Sequence, residues 1–569
     1  MPQKLWKYIP SIPDEIELPD KSIIELFRET ASKFQDLPLT YFEGKYKTYK
    51  EVTEDINRLA NGLRDLGIKK GDRVAAFLPN SPQFIVTFLA VDSLGAIFTG
   101  ISSLCSQKEL QYQLEDSGAK AIITFDVFLD KVRKVKKETS LEHIIVTSAA
   151  DELSSIKAFL YKLIIGRKNP KVKNEIKYKE LIKQSSNEPI ITKVNPKEDI
   201  AILQYTGGTT GVMKGAMLTH RNLVAQAITL DYWKNWVANV PEKPYRIVGA
   251  LPFSHIFGLS TSFLWPAISG ATIFLFPDPR KLEVIIKSID KFKIQFFMGI
   301  PVMFLKISEH PNVDKYDLSS LLMCISGGES LPKVTIEKFE SKTGNVLVEG
   351  YGLTESSPVT HVNPANRKYR KIGTIGIPIP NVTAMIVDTD TLEEITEFGK
   401  PGELWIRGPS VMKGYWNNKE ATDNSLVNGW LRTGDVAVMD EKGFFTIVDR
   451  IKDMIIVSGY KVWPNEVEDV LYSHPAINMA AVIGEKEETK EIVKAYLVKE
   501  PGHDELTLEE VREYCKKHLA PYKVPRKIEY LEELPRTALG KVLRKELRAL
   551  STITSAQSLP KETIEKVVK

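Results

Sequence analysis

Apolar residues recur at helical spacing over Ser22–Phe34 and Tyr49–Leu66, the second run stopped by Gly67, and predict two N-terminal helices. Short apolar runs then alternate with helical patterns. Arg73–Leu78, Ala96–Thr99, Ala121–Phe125 and His143–Thr147 read as strands, with helices over Ser81–Leu94 and Gln107–Asp116. Strands separated in this way predict a parallel sheet with helical crossovers. The rhythm breaks over 150–195, where Phe159–Lys173 is apolar and then basic. It is read as an insertion helix packed on the domain and followed by a solvated loop. A peripheral membrane contact through 156–173 is the sharper alternative.

The alternation resumes with strands at Ile200–Tyr205, Ala271–Phe276, Ile294–Met298, Leu321–Ser326 and Asn345–Glu349. Ile247–Pro277 contains no Asp, Glu, Lys or Arg, but Pro252, His255, Gly258, Pro266 and Gly270 break it into loop, short helix and strand. It therefore reads as domain core, not as a membrane span. From about Lys371 to Asp449 short runs with many Gly and Pro turns predict hairpins. Strands Ala480–Ile483 and Glu491–Val498 follow, then a helix over Leu506–His518 opened by a capping box, Thr507 with Glu510. The predicted class is α/β: a large N-terminal domain of parallel α/β sheets plus a small β-rich subdomain, then a small mobile α+β C-terminal domain. The boundaries fall at 1–450 and 451–550, with a loose polar tail over 551–569.

The chain has 569 residues, 43% hydrophobic and 26% charged, with a net charge of +4. That charge is small for the size and no nucleic-acid-binding signature accompanies it, so nucleic acid is not expected as a partner. Cys105, Cys324 and Cys515 are far apart in apolar or helical settings and read as reduced packing residues. The histidines lack metal-ligand spacing. Met-Pro-Gln-Lys-Leu-Trp-Lys at the N-terminus has no apolar run, which argues against a secretory signal and for a cytoplasmic location.

Candidate chemistry centres on Thr206-Gly207-Gly208-Thr209-Thr210-Gly211-Val212-Met213-Lys214-Gly215, just after the Ile200–Tyr205 strand. Glycines let backbone N–H groups approach a ligand closely, threonine hydroxyls add donors, and Lys214 adds a mobile cation. A polyphosphate needs these groups. Gly215 follows the lysine where a P-loop has Ser or Thr, so this is a different kind of phosphate loop. In the sequence after it, Thr219 and Asn222 are candidate helix caps. Glu349-Gly350-Tyr351-Gly352-Leu353-Thr354-Glu355 follows a predicted strand, at the end where α/β sheets bind ligands. Tyr351 can stack on a base, Thr354 can bond a phosphate oxygen and Glu355 can hold Mg2+. Asp435, after a glycine turn, suits ribose hydroxyls; Arg450 suits ribose or phosphate; Lys541 lies on a Gly-containing loop near the C-terminus. Singly, each of these is better explained by a turn, a salt bridge or a solvated lysine.

Their joint order resembles the adenylate-forming superfamily: acyl-CoA synthetases, beetle luciferases and peptide-synthetase adenylation domains. The resemblance runs from about Ile24 to Leu547. It rests on Tyr205–Gly215, Leu251–Gly258, Ser326-Gly327-Gly328-Glu329, Glu349–Glu355, Arg432–Asp435, Asp449–Tyr460 and Pro535–Lys541. One departure is Met213, where the family usually has Pro. The resemblance implies ATP, Mg2+ and CoA as cosubstrates or cofactors. A carboxylate attacks the α-phosphate of ATP, giving an acyl-adenylate and pyrophosphate, and a thiol then displaces AMP. By the same resemblance, Thr206–Lys214 holds the β- and γ-phosphates. Gly328, Glu329 and Glu349–Gly352 belong to the nucleotide site. Thr354 contacts the α-phosphate and Glu355 the metal. Asp435 binds ribose with Arg450 nearby, and Lys541 bridges the carboxylate and the α-phosphate. Lys452 is the implied hinge of a rotating C-terminal domain that brings Ser458-Gly459-Tyr460 to the thiol channel.

The acyl pocket is expected between His255–Leu264, Ile300–Phe304 and Ser326–Glu329. His255 reads equally as a group near the reacting atoms and as a satisfied core histidine. The region is apolar and offers no Lys or Arg to a second carboxylate, which favours an apolar monocarboxylic acid. The layout is most like medium- and long-chain fatty acyl-CoA ligases. Some long-chain members have a gating Trp where this chain has Leu259, so short-chain, hydroxy and aryl acids stay open, as does an acceptor other than CoA. A non-catalytic relative is disfavoured by the intact Lys214, Glu355, Asp435, Arg450 and Lys541. A homodimer is left open.

Overall fold

A computed structural model describes residues 12–166, 168–206, 213–237, 244–487, 490–536 and 542–557. The chain divides into two compact units: Met1–Ala384 with Ile406–Arg432, and Met385–Trp405 with Thr433–Lys569.

The first unit holds two large sheets. In one, the strands lie in the order Gly414–Tyr415, Lys214–Thr219, Ile200–Thr206, Ile97–Gly100, Arg73–Phe77, Ala121–Phe125, His143–Thr147, Ile176–Lys177. It is parallel apart from its first two pairings, which are antiparallel. In the other, the order is Ile377–Pro378, Val359–Val362, Leu347–Gly352, Met323–Ser326, Phe296–Gly299, Arg246–Gly249, Thr272–Leu275, Pro38–Phe42, Lys45–Thr48. Its centre is parallel and its edges are antiparallel. The parallel strands are buried along nearly their whole length, because crossover helices cover both faces. Helix Pro82–Ser93 is buried all round and accordingly shows no polar face in the sequence. Asn80, just before it, ties the two sheets together. Its amide donates to the carbonyls of Gly249 and Leu251 and its oxygen accepts from the Phe253 N–H.

The predicted helices lie within a residue or two of Ile23–Lys33, Tyr49–Asp65, Pro82–Ser93 and Gln107–Ser117. Capping boxes set three of these starts: Ser22 with Glu25, Thr48 with Glu51, and Ser106 with Glu109. Ile247–Pro277 is core, as read: strand Arg246–Gly249, short helical turns and strand Thr272–Leu275. Among the described residues no helix is long and apolar enough to cross a membrane.

Two expectations need correction. The insertion helix is not packed by its apolar side. Helix Ser155–Tyr161 exposes Ile156, Phe159 and Leu160, because polar groups such as Lys157, bonded to the Glu43 carbonyl, tie it down. The segment after Leu550 is not loose at its start. Helix Arg544–Gln557 runs through it, and Ser551 is buried, hydrogen-bonded to Glu485 and to the Lys494 ammonium.

The second unit contains a three-stranded sheet, Ile477–Glu487, Lys490–Lys499 and Lys527–Tyr530. Val467, Leu471, Val482, Val493, Leu497, Val511 and Cys515 form its core with helices Pro464–Tyr472 and Leu508–Lys516. The hairpins expected between Lys371 and Asp449 are present, Thr383–Val387 with Glu394–Ile395 and Trp430–Met439 with Phe445–Arg450, and a further one the sequence did not signal pairs Ile455–Val457 with Tyr460–Val462. All three cysteines are buried and free, and burial pushes the Cys105 and Cys515 thiols up to about 11.

Candidate active site

The glycine- and threonine-rich loop joins two antiparallel strands, with Thr206 paired to Lys214 at its base. Gly207, Gly208, Thr209, Thr210 and Gly211 lie outside the described residues, as does Lys541. The sequence did not single out the return strand Lys214–Thr219, because Lys, Gly and Thr interrupt its apolar pattern. The following helix starts at His220, where Thr219 and Asn222 exchange side-chain and backbone hydrogen bonds in a reciprocal cap.

The base of the loop is clamped by helix Gln107–Ser117. The Tyr112 hydroxyl donates to the Met213 carbonyl at 2.7 Å and Gln113 reaches the Met213 sulfur. The Tyr205 hydroxyl donates to Asp116 at 2.6 Å, and burial together with that carboxylate raises its pKa. Trp416 donates its ring N–H to the Asp116 carbonyl and its backbone N–H to the Gly215 carbonyl. A Cβ at Gly215 would lie 3.2 Å from the Tyr205 ring, a tight contact that would press on the ring. Met213, lacking proline's fixed backbone, is thus held by its carbonyl and sulfur instead.

Tyr415 links this base to the acidic motif. It sits opposite Ala216 in the edge pairing. Its ring lies 5.1 Å from the Lys214 ammonium, within cation–π range. Its hydroxyl donates to Glu355 Oε1 at 2.6 Å, and burial plus the carboxylate raise its pKa. A cation and a carboxylate far apart in sequence therefore meet on one buried tyrosine.

Glu349, Gly350, Tyr351 and Gly352 lie within strand Leu347–Gly352 and do not follow it. The strand is longer than the apolar run because it leaves its parallel neighbour at Glu349 and pairs antiparallel with Val359–Val362. A Cβ at Gly352 would fall 1.9 Å from the Pro358 carbonyl oxygen, so only glycine fits. Thr354 and Glu355 form the next tight turn, Thr354–Ser356. The Met412 N–H donates to the Glu355 carbonyl and fixes that turn. Tyr351 meets His361 edge to face at 5.9 Å, and burial pushes that imidazole down to about 3, leaving it neutral.

The three stretches expected to line the acyl pocket converge. A Cβ on Gly327 would lie 3.0 Å from the Phe257 ring, and one on Gly328 would lie 3.8 Å from Ile300. Gly328 takes a positive φ of 87° before Glu329. Phe253, Ile256, Leu259, Phe263 and Met303 are buried beside them. The Ser326 hydroxyl is fully buried without a hydrogen-bond partner among the described residues, which fits a polar group of a bound molecule. His255 caps the helix Ile256–Leu259, its Nδ1 accepting from the Phe257 N–H.

In the second unit, Asp435 and Arg450 are directly paired across antiparallel strands, with Nε 3.1 Å from Oδ1. Asp435 is almost wholly buried. Glu403, absent from the sequence reading, sets the glycine turn before it by accepting from the Gly434 N–H and the Trp405 indole. The adjacent Asp449 is fully buried and accepts from the backbone of Arg450 and Asn465, and burial raises its pKa to about 6. Lys452 lies in the turn Ile451–Asp453. Ser458 and Gly459 form the tip of the Ile455–Val462 hairpin with φ of 50° and 85°, and Tyr460 stacks on Tyr522 at 4.7 Å.

These donors fit the groups the motifs imply. Among the described residues no three acidic, His or Cys side chains gather to cage a metal. One carboxylate, Glu355, completed by phosphate oxygens and water, is an ordinary way to hold Mg2+.

Residues 27–416 match the family described as AMP-binding enzyme, and residues 466–541 match the AMP-binding enzyme C-terminal domain. The chain is 41% identical to a long-chain-fatty-acid–CoA ligase of Bacillus subtilis, over 96% of this chain and 98% of that one. It is 38% identical to the enzyme of the same name from Escherichia coli O157:H7, with the same coverage. Among solved structures it resembles the anthranilate CoA ligase AuaEII in complex with anthranoyl-AMP, with a TM-score of 0.83 and 26% identity over 95% of this chain and 99% of that one. It also resembles ATP-bound MatB from Rhodopseudomonas palustris, with a TM-score of 0.82 and 26% identity over 93% and 99%. The chain belongs to the AMP-binding enzyme family.

Proposed function

We propose that this protein is an ATP-dependent carboxylate–CoA ligase acting on medium- and long-chain fatty acids. One observation carries the reading: Lys214 and Glu355 meet on Tyr415 at the base of the phosphate loop, within the unit that also holds the uncharged wall of Phe257, Ile300 and Met303. A carboxylate oxygen attacks the α-phosphorus, and the bond to the pyrophosphate oxygen breaks. The thiol sulfur of CoA then attacks the acyl carbonyl, and AMP leaves with the carboxylate oxygen.

No protein nucleophile is needed, so the side chains act by position and charge. Lys214 and the loop Thr206–Gly211 hold the β- and γ-phosphates, and Thr354 touches the α-phosphate. Mg2+ at Glu355 would neutralise phosphate charge. Gly328, Glu329 and Glu349–Gly352 border the adenine, and Asp435, oriented by Arg450, takes the ribose. Lys541 supplies positive charge between carboxylate and phosphorus. His255 lies close to the acyl and thiol path. Residues 451–550 turn about Lys452 as a mobile domain after 1–450, exchanging Lys541 for Ser458-Gly459-Tyr460 at the CoA channel. We place the enzyme in the cytoplasm, with 156–173 touching a membrane surface.

The test separates the half-reactions. Lys541→Ala should abolish pyrophosphate release from ATP and acid, yet still form thioester from supplied acyl-adenylate and CoA. Equal loss of both halves would contradict the division of labour.

A further inference from the structure

Helix Gln107–Ser117 belongs to none of the glycine-rich motifs, yet it grips both strands at the base of the phosphate loop. It is anchored without the loop's help. Ser106 and Glu109 box its start, and Gly118 ends it in the left-handed region at φ 59°. Leu110 and Leu114 are buried in the core of the parallel sheet. The Arg73 guanidinium donates to the carbonyls of Ser117 and Gly118. Packing is therefore complete before Tyr112, Gln113 and Asp116 are counted.

Those three side chains reach the residues on either side of Lys214. The Tyr112 hydroxyl donates to the Met213 carbonyl at 2.7 Å, and the Gln113 amide lies 3.5 Å from the Met213 sulfur. That carbonyl belongs to the planar peptide unit whose N–H is that of Lys214, so the bond fixes the plane from which the lysine side chain departs. On the other side, Asp116 accepts from the Tyr205 hydroxyl at 2.6 Å, and Tyr205 is the cross-strand partner of Gly215. Trp416 closes the ring: its indole N–H donates to the Asp116 carbonyl and its backbone N–H to the Gly215 carbonyl. Tyr112 is only half-buried, so water would satisfy its hydroxyl without this bond. What the bond adds is direction.

We propose that Tyr112 and Asp116 are positioning residues for adenylation. Through the Met213–Lys214 peptide and through Tyr205 they aim the Lys214 ammonium at the polyphosphate of ATP. The proposal rests on the phosphate role given to Lys214 above, and it extends the adenylation machinery to a helix outside the motifs.

The test measures pyrophosphate release by the full chain over a range of ATP with palmitate, beside thioester formation from supplied palmitoyl-adenylate and CoA. Tyr112→Phe removes the hydroxyl and keeps the ring. It should lower kcat/KM for ATP about three- to tenfold, the loss of one neutral hydrogen bond, mostly through KM. KM for palmitate, the thioester half and the thermal midpoint should stay at the parent values. Asp116→Ala should lower kcat/KM for ATP in the same way, and Asp116→Asn, whose amide oxygen still accepts from Tyr205, should restore most of it. A merely structural contact would not be coupled to the lysine. In Lys214→Met, already impaired toward ATP, adding Tyr112→Phe should change nothing further. Calorimetric binding of ATP with Mg2+ should show the same pattern without turnover. Parent-like ATP kinetics and binding in Tyr112→Phe, an equal loss in the thioester half, or the same fold-loss with and without Lys214 would overturn the proposal while leaving the role of Lys214 intact. Parent-like ATP binding and kinetics in Lys214→Met would refute that role itself, and the proposal with it.

Discussion

Tyr415→Phe isolates the contact that joins the two charged motifs of the first unit. The phenolic hydroxyl donates to Glu355 Oε1 at 2.6 Å while the ring faces Lys214 at 5.1 Å. The substitution removes the first interaction and keeps the second. Hydrogen bonds to ionised groups are worth about 1.5–3 kcal/mol. Tyr415 is buried, but Glu355 is only half-buried, so water replaces part of the loss. Fold stability should therefore change little. The orientation of the carboxylate toward metal and phosphate should suffer, lowering kcat/KM for adenylation by about tenfold, and by about a hundredfold at most. The assay is pyrophosphate release at several Mg2+ concentrations, beside thioester formation from supplied acyl-adenylate. The loss should fall on the first half-reaction and ease as Mg2+ rises. Unchanged adenylation, or an equal loss in both halves, would refute the assignment of Glu355 and of the tyrosine that positions it.

Lys452→Pro should slow thioester formation far more than adenylation in stopped-time assays of each half, and equal rates in parent and variant would remove the case for a hinge there. Gly352→Ala should abolish activity and lower the thermal midpoint, because its Cβ would stand 1.9 Å from a backbone oxygen; an active, stable variant would contradict the geometry. Asp449 has its pKa raised to about 6 by burial, from 3.8. The folded state then holds a proton that the unfolded state has released, so stability falls as pH rises through the window between those values. The full effect is about 3 kcal/mol. Urea unfolding across that window should show the parent losing stability relative to Asp449→Asn by about that amount, since Asp469, also raised to about 6 by burial, is common to both; a constant difference would contradict the assignment.

Strongly periodic segments were legible from sequence. Ala121–Phe125 and His143–Thr147 are strands with the predicted bounds, since buried parallel strands are continuous apolar runs. Capped helices were legible for the same kind of local reason. The strand Lys214–Thr219, the short strand Gly414–Tyr415 and the second half of Leu347–Gly352 were not, because antiparallel edge pairing, not apolar content, makes them strands. The same limit hid Tyr415 and Glu403. Each acts on a residue distant in sequence or on a backbone N–H, and neither belongs to a glycine-rich motif. The outward stripe at 156–164 misled the periodicity argument in the opposite direction. Spacing tells that a helix has an apolar face, while polar ties such as that of Lys157 to the Glu43 carbonyl decide which way it points.

The most direct test of the central claim is pyrophosphate release with a series of acids from acetate through palmitate, together with hydroxy and aryl acids, with and without CoA. The account predicts a maximum among medium or long alkyl chains, AMP turnover that depends on CoA, and acyl-CoA as product. Release that peaks on an aryl or short acid would contradict the substrate class, and release indifferent to CoA would contradict the ligase itself.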